Sequence, residues 1–104
     1  MLYEMRTYRL KTGAVPAYLA LVGEDGLAIQ RQHLGTLVGY FHSEIGRLNE
    51  IVHIWAYSDL NDRDARRAAL AADPRWQAFL PRLQALIEEM ENKILKPAPF
   101  SPLG

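Results

Sequence analysis

Two stretches of alternating side chains, Thr36 to Ile45 and Glu50 to Tyr57, are separated only by Gly46-Arg47-Leu48-Asn49. Strand side chains point to opposite faces in turn, so each stretch reads as a strand, and so short a connection reads as the turn of a hairpin. Leu2 to Leu10 alternates in the same way and ends at a turn, Lys11-Thr12-Gly13. Between these strands Val15, Leu19, Val22 and Leu27 recur with helical spacing, which predicts a helix to about His33 with Pro16 in its first turn. Gly23 and Gly26 each weaken that helix by about 1 kcal/mol against alanine, so a break or kink is expected there. Gly35 is a helix-stop residue. Ser58 or Asp59 is placed to cap a helix over Leu60 to Ala72. Asp73-Pro74 then opens a last helix, expected to reach about Lys93 and to be kinked or divided by Pro81. Ile94 to Pro97 reads as a short edge strand, where proline is tolerated, and a proline-rich tail follows over 97–104.

The order is βαββαβ. Interleaving of this kind predicts a split βαβ sheet of α+β class with the helices on one face. At 104 residues the chain, 1–104, is the size of a single domain, and 49% apolar content is enough for one core. Twelve basic residues balance twelve acidic ones, so no net field favours nucleic acid or an anionic membrane as a partner. There is no cysteine, which excludes disulfides, thiolate metal sites and cysteine nucleophiles. No apolar run is long enough to span a bilayer, and Met1 to Arg6 lacks the apolar core of a secretion signal. A cytoplasmic protein is the expectation. No phosphate loop, nucleophile elbow or HExxH motif is present, and no cofactor or metal is called for.

The hairpin parity puts Tyr40, His42 and Glu44 on one face with His53, Trp55 and Tyr57. A two-residue turn at Arg47-Leu48 would set His42 opposite His53 and Tyr40 opposite Trp55, while a turn at Gly46-Arg47 would change the partners but not the faces. Val52, Ile54 and Ala56 form a purely aliphatic set on the other face, which suits packing under helices, and Tyr3, Met5 and Thr7 are assigned with them. Glu4, Arg6 and Tyr8 then join the aromatic set on the helix-free face. That face is too aromatic for a wet surface and too polar for a dry core. It is expected to serve as a homodimer interface, a ligand pocket, or both around a central cavity.

Within it His53 is the candidate catalytic group, as general base or metal ligand. The competing reading is a histidine simply hydrogen-bonded inside the dimer. Arg6 pairs with Glu4 or holds a carboxylate ligand through its fork of donors. Tyr8, Tyr40, Trp55 and Tyr57 either wall a flat ligand or merely pack. Arg63, Arg66 and Arg67 form a solvated helix face, unless Arg63 or Arg67 reaches the mouth of the cavity. Trp76 is expected to anchor the last helix, and His33 to sit at a helix end.

The string Asn49-Glu50-Ile51-Val52-His53-Ile54-Trp55-Ala56-Tyr57-Ser58-Asp59-Leu60, continued by Arg63, Arg67, Asp73-Pro74 and Trp76, resembles the central signature of the NIPSNAP family. The opening Tyr3-Glu4-Met5-Arg6-Thr7-Tyr8, Gly13 and the Gly46 turn fit the same pattern, so the resemblance covers nearly the whole chain. It implies a ferredoxin-like domain, a four-stranded antiparallel sheet that dimerises through its face into an α/β barrel. The wider superfamily includes cofactor-free monooxygenases, haem-degrading enzymes and dimeric stress proteins, while the NIPSNAP proteins themselves have no agreed reaction. Two functions follow as expectations. One is a homodimeric module that binds a small apolar or aromatic ligand in the barrel, lined by Glu4, Arg6, Tyr8, Tyr40, His42, Trp55, Tyr57 and Arg63. The other is a cofactor-independent monooxygenase- or isomerase-like enzyme with His53 as general base.

Overall fold

Strand β1 (Leu2–Leu10) lies at the centre of a four-stranded antiparallel sheet in a computed structural model that describes all 104 residues. β3 (Glu50–Tyr57) flanks it on one side and β4 (Ile87–Leu95) on the other, and β2 (Thr36–His42) pairs only with β3, giving the order β2-β3-β1-β4. Helices α1 (Val15–Leu21), α2 (Leu27–His33), α3 (Leu60–Ala72) and α4 (Pro74–Gln84) complete the ferredoxin-like α+β fold. α1 and α2 form one continuous rod, joined by a π-helical turn over Val22–Gly26. The break expected at the two glycines is thus a widened turn. Gly26 has a packing reason as well: a Cβ there would come within 2.5 Å of the Phe79 ring.

The expected caps are present. Asp59 accepts a hydrogen bond from the Asp62 amide at 2.7 Å, and Asp73 accepts one from the Arg75 amide at 2.8 Å with Pro74 in the first turn of α4. The last third of the chain differs from expectation. α4 ends at Gln84 and contains Pro81 without being divided, and Ile87–Leu95 is strand where helix was expected. The segment is rich in Glu, Met and Lys, which favour helix locally, but nine residues of edge strand complete the free side of β1. β2 also stops at His42, three residues short of Ile45.

The two faces of the sheet are exchanged relative to expectation. Leu2, Glu4, Arg6 and Tyr8 stand opposite Tyr57, Trp55, His53 and Ile51, and this row lies beneath the helices. Tyr8, Ile51, Trp55 and Tyr57 belong to the same buried core as Tyr18 of α1, Ile29 of α2, Leu70 of α3 and Trp76, Phe79 and Leu83 of α4. Trp76 is the anchor expected of it. The aliphatic set, Met5, Val52 and Ile54, is on the helix-free face and only partly covered. The aromatic row carries large rings into the core, and the polar tips of Tyr8, Tyr40 and Trp55 find partners within the protein, which removes the usual objection to burying them.

Candidate functional site

Trp55 Nε1 donates to His53 Nδ1 at 2.8 Å, two residues along β3. The Tyr40 ring stacks on the imidazole at 4.5 Å between centroids, and Tyr8 meets it edge-on at 5.0 Å. The Tyr40 hydroxyl lies 2.6 Å from that of Tyr18, and the Arg6 Nε donates to the Tyr8 hydroxyl at 2.8 Å. Burial raises the pKa of both Tyr18 and Tyr40, so their hydroxyls stay protonated. Burial, together with the nearby Arg6 guanidinium, pushes His53 down to about 3. The ring is therefore neutral. With Nδ1 accepting from Trp55, its proton sits on Nε2, which is buried and has no partner.

Glu4 is fully buried in the adjoining part of the sheet. Four donors converge on its Oε2: Arg63 Nη2 at 2.7 Å and Nε at 3.1 Å, Arg6 Nη1 at 3.2 Å, and Asn92 Nδ2 at 2.8 Å. Burial opposes the charge, but the Arg63 and Asn92 hydrogen bonds and the Arg6 guanidinium outweigh it and hold the carboxyl below its usual range. Oε1 has no hydrogen bond, and Arg67 Nη1 lies 4.0 Å from it. Arg63 also pairs with Asp64 at 3.0 Å, and Arg66 turns away to Asp62 and the end of α2. Both Arg63 and Arg67 thus reach in from α3 to the sheet, rather than forming only a solvated face.

Beside this cluster a partly open cleft of about 140 Å³ runs between the helix-covered face and α4. Arg6, Arg67, Gln30 and Gln84 supply its polar wall, and Tyr8, Trp76, Leu80, Leu83, Ile87 and Met90 its apolar one. The Gln30 side chain is buried, with Oε1 unpartnered. Gln30 and the α4 leucines were not singled out in the sequence, and Trp76 only as an anchor of the last helix. Their helical spacing marks them only as buried, and nothing local shows that a void lies against them.

Of the residues named from sequence, Glu4, Arg6, Tyr8, Tyr40, His53, Trp55, Tyr57 and Arg63 come together, but under the helices instead of on the open face. His42 does not join them. It pairs with Ile51 at the far end of the hairpin and is exposed, while Tyr40 takes the place opposite His53. This register is centred on Gly46-Arg47, and the irregularity between Leu37 and Gly39 shifts only the pairs of Thr36 and Leu37 beyond it. Glu44 is in the exposed connection after β2. His33 is paired with Asp73 at 2.8 Å, tying the end of α2 to the start of α4.

The NIPSNAP family profile matches residues 3–102. The protein NipSnap of Drosophila melanogaster is 38% identical over 97% of this chain and 36% of its own length, and human NipSnap homolog 2 is 36% identical over 98% and 35%. The chain thus spans about a third of the length of these relatives. A crystal structure of a NIPSNAP family protein of unknown function from Agrobacterium tumefaciens is 66% identical, covers 100% of this chain and 94% of its own, and superposes with a TM-score of 0.98. An antibiotic biosynthesis monooxygenase shares the fold at 17% identity and a TM-score of 0.65, with 95% of this chain and 100% of its own covered. A profile match across nearly every residue, with its signature strand intact in β3, makes this chain a member of the NIPSNAP family.

Proposed function

We infer that this protein is a cytoplasmic homodimer that binds a small, largely apolar molecule in each protomer, in the cleft between the sheet and α4. The dimer and the ligand site use opposite faces of the sheet. The observation that carries the ligand site is the cleft itself: a partly open space with one apolar wall, and with a buried, unpartnered Gln30 oxygen and two arginines on its polar wall. Buried polar groups without partners are uncommon in folded proteins, and a ligand or ordered water normally satisfies them. Concave, mainly apolar sites with a few convergent polar groups are how small-molecule pockets are usually built.

In this reading His53 does not act as a general base. Its one lone pair is taken by the Trp55 N–H, and a pKa near 3 is far from the working range of a base at neutral pH. It holds the aromatic wall in place instead. Support for the dimer comes from the helix-free face, where Val38, Phe41 and Leu95 are exposed beside Met5, Val52 and Ile54.

Met90 stands half exposed on the β4 side of the cleft, so Met90→Trp fills the opening without touching the core. Ligand-observed NMR against a panel of small aromatic compounds should register binding to the natural chain and its loss in Met90→Trp. Absence of binding across the panel, or binding indifferent to the substitution, would remove the cleft as the site.

A further inference from the structure

We propose that the ligand is a monocarboxylic acid with an aromatic or short aliphatic body, its carboxylate held between Arg6 and Arg67. This rests on the cleft being the ligand site. Three guanidiniums, those of Arg6, Arg63 and Arg67, meet above this part of the sheet, and only two carboxylates, Glu4 and Asp64, face them. Arg63 is satisfied by both of these at 2.7 and 3.0 Å. Arg6 shares Glu4 at 3.2 Å and gives its Nε to Tyr8. Arg67 has no close carboxylate: Glu4 Oε1 lies 4.0 Å away, although that oxygen is free, and its other neighbour is the uncharged Tyr57 hydroxyl. One positive charge is thus left over, and the two arginines with the least complete pairing are the two that line the cleft.

The Gln30 carboxamide lies on the same wall and offers an N–H beside its unpartnered oxygen. A carboxylate is a bidentate acceptor for such forks, and its hydrogen bonds to guanidinium are charge-assisted. Trp76, Leu80 and Leu83 give the body of the ligand a mainly apolar wall, with Gln84 as the remaining polar side chain. Its volume of about 140 Å³ is close to the roughly 150 Å³ of an apolar cavity that admits one benzene ring. The size suits a body of about one ring, and the single surplus charge selects a monoanion over a dianion.

Phenylacetate and its neutral analogue phenylacetamide separate the charge from the cavity. Calorimetric titration of the natural chain should give phenylacetate an affinity about tenfold or more above that of phenylacetamide, as expected for one charge-assisted contact. Arg67 is partly exposed on α3 and makes no close ion pair, so Arg67→Gln should fold normally by circular dichroism. In that variant the preference for the acid over phenylacetamide should disappear, and Arg67→Lys should keep part of the preference. Equal affinity of the natural chain for both compounds would overturn the carboxylate assignment and leave the cleft standing. Binding of neither would overturn both. A preference that survives Arg67→Gln would remove Arg67 from the site.

Discussion

Glu4 is a charge with no solvent contact, and it is tolerable only because the donors on its Oε2 come from three different residues. Glu4→Gln leaves Arg6 and Arg63 without their shared carboxylate and should cost about 3 kcal/mol, read from urea denaturation at neutral pH. The sign with pH follows from the depressed carboxyl. The unfolded chain takes up this proton near 4.5, above the folded form, so the contribution is complete above 4.5 and is lost as pH falls through the lower folded value. His53 adds to the same trend. Its unfolded value of 6.5 drops to about 3 on folding, so stability declines as pH falls from 6.5 and this decline ends near 3. Its imidazole nitrogen signals should therefore stay flat between about pH 8 and pH 5, with the proton on Nε2, and a titration in that window would contradict the burial of the ring. Trp55→Phe removes the donor to Nδ1 and should cost about 1–3 kcal/mol in the same denaturation assay.

Among the elements, the helix starts are the parts most plainly written in the chain, because capping is local chemistry. Asp59→Ala should lower stability by about 1 kcal/mol through loss of its bond to the Asp62 amide, measured as a fall in the urea midpoint at constant slope. Gly35 was legible as a helix stop for a different reason from the one that operates. Its φ is not left-handed; instead a Cβ at this position would run into the Ala56 carbonyl oxygen of β3. Backbone cannot give way as a side-chain tip can, so Gly35→Ala should destabilise by about 1–3 kcal/mol, an overpacking cost. β4 was not legible. Ile87 to Leu95 consists largely of residues that do well in helices, and what makes it a strand is the vacant edge of β1, a strand from the other end of the sequence. The π turn at Val22–Gly26 was half legible: the glycines mark a weak place, but the Phe79 ring that settles how the rod is built there belongs to another helix.

For the whole molecule, alternation shows which side chains travel together but not toward which side. Glu4, Arg6, Tyr8, His53 and Trp55 do share a face, as their parity requires. The side was misread because Val52, Ile54 and Ala56 look like core and the ring-bearing set looks like an interface, whereas pairing among the polar tips makes the rings the better core. The same exchange explains the face left open. Met5, Val38, Phe41, Val52, Ile54 and Leu95 form an apolar surface on a sheet that no helix covers, and such surfaces on small proteins are normally buried against a partner. A second copy is the self-complementary choice, since the same patch then closes on itself about a two-fold axis and leaves nothing exposed to grow a fibre. Phe41 is 56% exposed, rests on Gly39, and lies outside the core cluster, so Phe41→Glu places a charge in that contact while sparing the protomer. Sedimentation velocity at micromolar concentration should give a dimer for the natural chain and a monomer for Phe41→Glu, with the far-ultraviolet spectrum unchanged. A natural chain that sediments as a monomer under these conditions would mean that the aliphatic face is covered by something other than its own copy.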